Sequence, residues 1–565
     1  MRLHIRAVAG IVGLLLACVS TVPASASTLA QHVSTMAAGV IAGTGYAAPA
    51  RSVTVSAANV RAHALAPAAI SSGLPGPLGR DGKLAGSTLP ARASSRERPR
   101  PAATAIRAGT PNSARAAKAA APHAKSASAL AQTATLAPQA APDLANFAGL
   151  TEGSTDCTNC ETPDVTAAVS GTEIAETVNL SMQVNSKSGA SLCTMSLSGL
   201  LGAVTGLSRP RIQYDNANNR FSLLADSVPG SAFDVPIQYL ATSQTSDACG
   251  AWWVYSIVFS GGSTPSLYPL GALIDYPYLG QDSTSLLSST NNFSSSGSYL
   301  GSAAYAMPKA DAYTGAGFSF TTYQVAFSTA PVTVAGIPTF ATTNTYWLAA
   351  VPGTGYDLYV MPTSPAGAIT LQAVIKSSFS APTRRVLQPG TSETLDPLDG
   401  RIESAAVQDG DFVWFAHGVN DGGYPTVQYG AINVTDNQVS VALAFHGSSS
   451  DDFNPSIGVS DAGNSTNYIW VNWAYTQAQS GVPVSDTVAG VGPGQGVPEL
   501  AGDDLTLVRG SSTSTISTFG GYSSVEIDPV SVNASCPSGA TALTAQEYFT
   551  SSGSWTTRLA ETAFC

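Results

Sequence analysis

The chain has 565 residues, 44% of them hydrophobic and 11% charged, with a formal net charge of −11. That charge is unevenly placed: residues 27–146 carry 12 Lys+Arg against 3 Asp+Glu, whereas residues 147–565 carry 11 against 33. A globular part this acidic argues against nucleic acid and anionic membrane as partners, because both select a basic footprint.

In chain order, residues 1–26 come first. Arg2 and Arg6 precede an apolar run, and Ala24-Ser25-Ala26 supplies the small residues of a cleavage site. This is the layout of a secretory signal peptide. A second reading processes the chain before Cys18, where Leu15-Leu16-Ala17-Cys18 has the outline of a lipoprotein signal. Both readings export the protein, the first to the extracellular space and the second to the cell surface. No later stretch is long and apolar enough to span a bilayer.

Residues 27–146 are rich in Ala, Pro, Ser and Arg, as in "ARAAKAAAPHAKSASALAQTATLAPQAAP". A segment with so few aromatic residues cannot bury enough apolar surface to offset its ordering entropy, so it is expected to be disordered. Its basic charge suits anionic cell-wall polymers or the acidic domain that follows; a solvated linker or pro-segment is the simpler expectation.

Of the 7 cysteines, Cys18 is removed by signal cleavage. The remainder is even in number, which in an exported chain reads as disulfides. Proximity favours Cys157–Cys160, Cys193–Cys249 and Cys536–Cys565, although other pairings stay open. "CTNC" also has the spacing of a zinc pair, but zinc needs further ligands. After residue 147 the histidines are His417 and His446.

Residues 147–565 alternate Val, Thr, Ser and Tyr between turn residues, without a helical stripe, so the domain is all-β. A loose unit recurs from Thr162, Ser208, Asp275, Gly336, Asp399, Phe453 and Gly521, at intervals of 46 to 68 residues. That interval suits a four-stranded antiparallel blade. The expected fold is a β-propeller of seven such blades, or six if the weak fourth copy is no blade. Within it, Trp252, Trp253, Trp347, Trp414, Trp470, Trp473 and Trp555 read as packing between blades. Asp215, Asp282, Asp409, Asp461 and Asp528 read as turn residues bonding local amides.

The run "SRPRIQYD", "DYPYLG", "QPGTSETLDPLDGRIESAAVQDGDFVWFAHGVN", "NPSIGVSDAGN" and "GYSSVEIDP…QEYF…SWTTRLA" resembles exported bacterial β-propeller proteins of the sialidase-like superfamily, a largely uncharacterised group. The resemblance spans roughly 160–565. In sialidases a tyrosine of a late Tyr-Ser strand is the nucleophile, a glutamate its base, an aspartate the acid, and three arginines hold the substrate carboxylate. By local motif the resemblance places Tyr522 alone, in the catalytic role; Arg211 and Arg401, at the entries of inner strands and fixed by no motif, are the expected ligand-binding clamps. A phenol with a pKa near 10 needs a neighbouring carboxylate to become a nucleophile, and arginine grips a carboxylate with two hydrogen bonds.

The chain departs from that pattern in two places. "SDAGNSTNYIW" is an Asp box with shifted spacing, and Thr518-Phe519-Gly520-Gly521 stands where the group often has Arg-Trp-Gly-Asp. His417, near Asp421, lacks a marked nucleophile and reads as a hydrogen-bonded strand-end residue. "DDFN" and "GDD" could hold a structural Ca²⁺ through carboxylates, but match no calcium repeat. The leading expectation is therefore an exported, monomeric propeller that binds an extracellular glycan or cell-surface partner without catalysis. A sialidase-like glycoside hydrolase is the alternative, and a structural or adhesive surface protein a further one.

Overall fold

A computed structural model of the chain describes residues 39–55, 138, 144–154, 163–202, 206–227, 231–232, 234–260, 266–335, 343–363, 366–460, 467–515, 517–530, 541–550 and 553–564. The signal region, most of the Ala/Pro-rich segment, and Cys157, Cys160, Cys536 and Cys565 lie outside the described residues. Cys193 and Cys249 form the expected disulfide, with Cα atoms 6.1 Å apart.

Strands β1 (Ile41–Ala47), β2 (Arg51–Thr54) and β3 (Asn146–Thr151) precede a succession of antiparallel meanders. The first comprises β4–β7 (Val165–Val169, Glu173–Val178, Ser181–Ser186, Ser191–Ser196) and ends in the short helix α1 (Leu197–Leu201). Next come β8–β11 (Leu207–Asp215, Arg220–Ser227, Ile237–Ser243, Ala251–Ser260). Then β12–β15 follow (Leu273–Gln281, Ser285–Phe293, Tyr299–Pro308, Phe318–Val325), with helix α2 (Lys309–Ala312) between the last two. The fourth meander is β16–β19 (Ala330–Val334, Asn344–Val351, Gly355–Pro362, Thr370–Lys376). After a small hairpin, β20 (Val386–Leu387) and β21 (Thr394–Leu395), come β22–β25 (Ala406–Asp409, Phe412–Asp421, Tyr424–Asn433, Gln438–Phe445). The next sheet joins β26–β28 (Asp451–Val459, Ile469–Gln477, Val482–Val491) to β30 (Leu505–Val508), with β29 (Leu500–Ala501) paired to β25. The last contains β31–β33 (Ser524–Ile527, Thr541–Phe549, Trp555–Ala563).

The first strand of each meander faces one axis. These inner strands touch in sequence, β4 to β8, β12, β16, β22, β26 and β31, and β31 touches β4 again. Apolar clusters fill the wedges between neighbours. Met182, Val184, Leu223 and Trp252 fill the wedge between the first two meanders, and Phe453, Trp555 and Val165 share another. Meanders radiating from one axis with their cores between them make a β-propeller. Each fully buried tryptophan among Trp252, Trp347, Trp470, Trp473 and Trp555 contributes about 1.5–3 kcal/mol by leaving water.

The ring is tied by its amino-terminal side. β3 adds to β33 as the outer strand of the last sheet, pairing Asn146 with Ala560 and Phe147 with Leu559. The chain thus closes its last sheet with a strand from some 400 residues earlier, a feature with no local signature in the repeat.

Two expectations need correction. The fourth unit does not begin at Gly336; its inner strand is Ala330–Val334, and Gly336 lies outside the described residues. The Ala/Pro-rich segment is also not wholly unstructured. β1 runs antiparallel between β11 and β15, with Thr44 opposite both Ser260 and Thr321, and β2 pairs with the other half of β11. Small residues make this possible. Ala42 and Ala47 are fully buried, and a Cβ on Gly45 would collide with the Phe320 ring.

Candidate functional site

A cavity of about 380 Å³ runs along the axis, and every inner strand contributes to its wall. Its two ends differ. Where the inner strands start, a cluster of charged and aromatic side chains closes it. Where they finish, Asn216 is exposed and Thr333, Ala335, Ile527 and Pro529 are half-buried, so the cavity opens to solvent there.

The closed end is built by one device used three times. Arg209, Tyr276 and Asn454 have φ of 52°, 56° and 52°, and each is followed by a proline: Pro210, Pro277 and Pro455. Register shifts in β8, β12 and β26 span the same positions. Proline gives no N–H to the ladder, and a bulge re-aims the side chain beside it. A left-handed backbone at a bulky residue costs on the order of 1–3 kcal/mol and persists only where its surroundings enforce it.

The re-aimed side chains interlock. Arg209 pairs with Asp275, and its Nε is 3.9 Å from Asp164. Arg211 donates from Nε to the Pro277 carbonyl at 2.9 Å and from Nη2 to the Glu403 carbonyl at 2.8 Å. Its guanidinium carbon lies 3.2 Å from the centre of the Tyr522 ring. Arg401 grips Asp399 with two hydrogen bonds of 2.7 and 2.6 Å and covers the Tyr276 face at 4.7 Å. Tyr276 meets Tyr522 edge-on, with ring centres 4.9 Å apart, and donates its hydroxyl to the Gly521 carbonyl.

Two loops roof this cluster. Gln388 exchanges hydrogen bonds with Ser514, and Arg385 reaches the Ser517 carbonyl, so the segment around β20–β21 docks on the one leading to Tyr522. The one glycine that stands in place of a charged residue here, Gly521, has a spatial counterpart. A Cβ on Gly521 would come 3.2 Å from Asp164 Oδ1, which accepts the Gly521 N–H.

Burial dominates the electrostatics. Tyr522 is 0% exposed; burial pushes its phenol well above the ordinary value, against the lowering effects of Arg211 and Arg209. Its hydroxyl has no hydrogen-bond partner among the described residues. Burial likewise raises Glu403, whose carboxylate oxygens are also unpartnered there, and Asp164. The desolvated guanidinium over Tyr522 is worth about 2 kcal/mol or more as a cation–π contact.

Towards the open end the wall mixes amides with paired charges. Gln213 Nε2 donates to the Gly280 carbonyl and Gln281 Nε2 to the Tyr214 carbonyl, which knits β8 to β12. Lys309 from α2 reaches in to Asp215 at 2.6 Å and Gln281 at 3.0 Å. Asp528 is paired with Lys187 at 2.8 Å. Gln213 Oε1 and Ser404 Oγ have no partner among the described residues, although the two residues are 2% and 7% exposed and line the cavity. Glu526 also lines it, and burial pushes its carboxyl up to about 8.

Of the residues singled out in the sequence, Tyr522 and Arg211 are brought together and Arg401 reaches them through Tyr276. Only Arg211 lines the cavity. Arg209, Asp164, Gln213 and Glu526 escaped notice; the repeated residue-Pro pair in the inner strands is the signal that finds the first. His417 does not end its strand. It sits inside β23, bridged to Ile402, with Nε2 3.0 Å from the Tyr356 hydroxyl, and burial lowers its pKa to about 4. Asp215, Asp282 and Asp528 do accept local amides. In the acidic runs, Asp451 pairs with Arg384, Asp452 accepts from Trp473 and Ser450, and Asp504 accepts from Thr487 and lies 2.7 Å from His446. Among the described residues no group of three or more His, Cys, Asp or Glu is placed to hold a metal. No helix among them is long and apolar enough to cross a membrane.

The sequence matches no protein-family description and no curated protein. Similar solved structures include a neuraminidase-like protein of A/flat-faced bat/Peru, 10% identical over 60% of this chain and 75% of that one, with a TM-score of 0.28. Another is a xylan beta-1,4-xylosidase from Bacillus halodurans, 9% identical over 73% and 87%, with a TM-score of 0.26. A third is the WD40 domain of SCAP from fission yeast, 8% identical over 71% and 84%, also at 0.26. Likenesses this distant carry nothing about activity, and the propeller is argued from the ring of inner strands.

Proposed function

We propose that this is an exported, monomeric β-propeller of seven blades that binds an extracellular ligand in its axial cavity without catalysis. The blade count is supported by the inner strands β4, β8, β12, β16, β22, β26 and β31, each pairing antiparallel with the strand that follows it and touching the next inner strand around the ring. The ligand is a glycan or a group on a cell-surface partner. The observation that carries the reading is the cavity itself: it opens at the strand ends, and its wall holds buried hydrogen-bonding atoms without a partner among the described residues. Concave sites with a few convergent polar groups are where propellers take ligands.

Catalysis is disfavoured by how Tyr522 is held. A phenol nucleophile needs a base at its hydroxyl. Here Arg211 lies over the ring, no carboxylate accepts from the hydroxyl, and burial raises its pKa. The convergence of Arg209, Arg211 and Arg401 around Tyr276 and Tyr522 is the one observation favouring the alternative, a sialidase-like hydrolase whose roof opens. A glycan array combined with release assays on aryl sialosides and neutral glycosides separates them. Binding without release supports the proposal, and release that disappears in Tyr522→Phe refutes it.

A further inference from the structure

The cavity wall is lopsided in its hydrogen-bonding capacity. Val334, Val407, Ile457 and Val459 give it an aliphatic part. On the remainder, Gln213 Oε1 is left as an acceptor and Ser404 Oγ as a hydroxyl that can accept or donate, both without a partner among the described residues. The Gln213 amide nitrogen is spent on the Gly280 carbonyl, which leaves Oε1 without a donor. Ser404 Oγ is equally unpartnered. The wall's charges are matched with one exception. Arg211 is held by two carbonyls and the Tyr522 face, Asp215 by Lys309, and Asp528 by Lys187. Glu526 makes no hydrogen bond or ion pair among the described residues.

A buried acceptor without a donor costs about 1–3 kcal/mol, and a cation arriving beside the unmatched Glu526 carboxyl favours its ionised form, so that the proton held in the empty cavity is released to solvent on binding. A metal ion would need several oxygen ligands around it, and the described residues bring no such group together. A ligand that carries its own N–H donors, a positive charge and an apolar body fits the wall better. We propose that the axial cavity recognises a primary ammonium group, with Glu526 as counter-ion, Gln213 Oε1 and Ser404 Oγ as acceptors, and the aliphatic part of the wall against the ligand's carbon skeleton. This rests on the ligand-binding reading above and names the chemistry of its ligand. An amino sugar and an aliphatic amine share that chemistry.

Isothermal titration of the full chain with glucosamine, glucose, n-butylamine and n-butanol tests it. At least one amine is expected to bind about tenfold or more tighter than its hydroxyl counterpart. Glu526→Gln, which breaks no side-chain hydrogen bond among the described residues and whose fold is checked by a single cooperative melting transition, should reduce that preference to within about twofold. Ser404→Ala should weaken the amine without removing the preference. If n-butylamine binds and neither sugar does, the ammonium site stands and the glycan reading falls. If glucose equals glucosamine and Glu526→Gln changes nothing, the ammonium site falls and the glycan reading survives. No binding by any of the four overturns the inference.

Discussion

At the start of the inner strands, Arg209, Arg211, Arg401 and Tyr522 are packed on one another under two docked loops. Along the cavity beyond that cluster, Gln213, Ser404 and Glu526 line the wall, and Gln213 Oε1 and Ser404 Oγ have no partner among the described residues. The ring of strands is common to both regions, so the difference comes from what each does with its polar groups. Buried arginines bound to carboxylates and carbonyls are committed to the fold, and dislodging them leaves a desolvated charge behind. Neutral groups beside open space keep their capacity for something that arrives. On the proposed reading, a constellation of catalytic residue types serves as a plug, while plain glutamine and serine make the binding surface.

The largest effect that would break this contrast lies at the closed end. Arg209→Met leaves the Asp275 carboxylate unpaired and fully buried, and should cost about 3–5 kcal/mol in chemical denaturation. A loss near zero would mean that the cluster is not structural.

A pH titration of stability is next. The Glu526 carboxyl, pushed up to about 8 from an ordinary 4.5, keeps in the folded protein a proton that the unfolded chain releases. Its stabilisation is complete below about pH 4.5 and disappears as the pH rises through about 8. Asp226 and Asp486, also pushed up to about 8, and Glu176, pushed up to about 7, act in the same direction. Stability should therefore fall between about pH 5 and 8, and Glu526→Gln should flatten that slope by about 1.4 kcal/mol per pH unit. An unchanged slope would place Glu526 in open solvent.

Tyr522→Phe should shift stability by less than about 1 kcal/mol, because the hydroxyl it removes is unpartnered while the ring keeps Arg211 and Tyr276. Ser404→Ala should be smaller still, within about 0.5 kcal/mol, measured by the same denaturation curves. A large loss in either would reveal a partner for the hydroxyl.

Much of the fold was legible because each meander starts with a turn and a short strand. Units beginning at Ser208, Asp275, Phe453 and Gly521 fall on or beside β8, β12, β26 and β31. The fourth was misplaced because Gly336-Ile337-Pro338, just after its inner strand "APVTV", carries the stronger turn signal. β1 was hidden by composition: "IAGTGYA" reads as low complexity, yet its small residues are what let it pass between β11 and β15. The site was less legible. Gln213 in "RIQYD" and Glu526 in "VEI" alternate with apolar neighbours, but alternation alone does not say whether the polar face of a strand meets solvent, a neighbouring blade or a cavity. The resemblance drew attention to Tyr522 and Arg211, which do meet, but sequence carries no sign that they meet sealed.

The central claim is that the tyrosine–arginine cluster plugs the axis and performs no chemistry. Release of the aryl group from an aryl sialoside, followed in parallel for the wild type and Tyr522→Phe, tests it most directly. The account predicts no release above background from either protein. Release by the wild type that vanishes in the variant would contradict it.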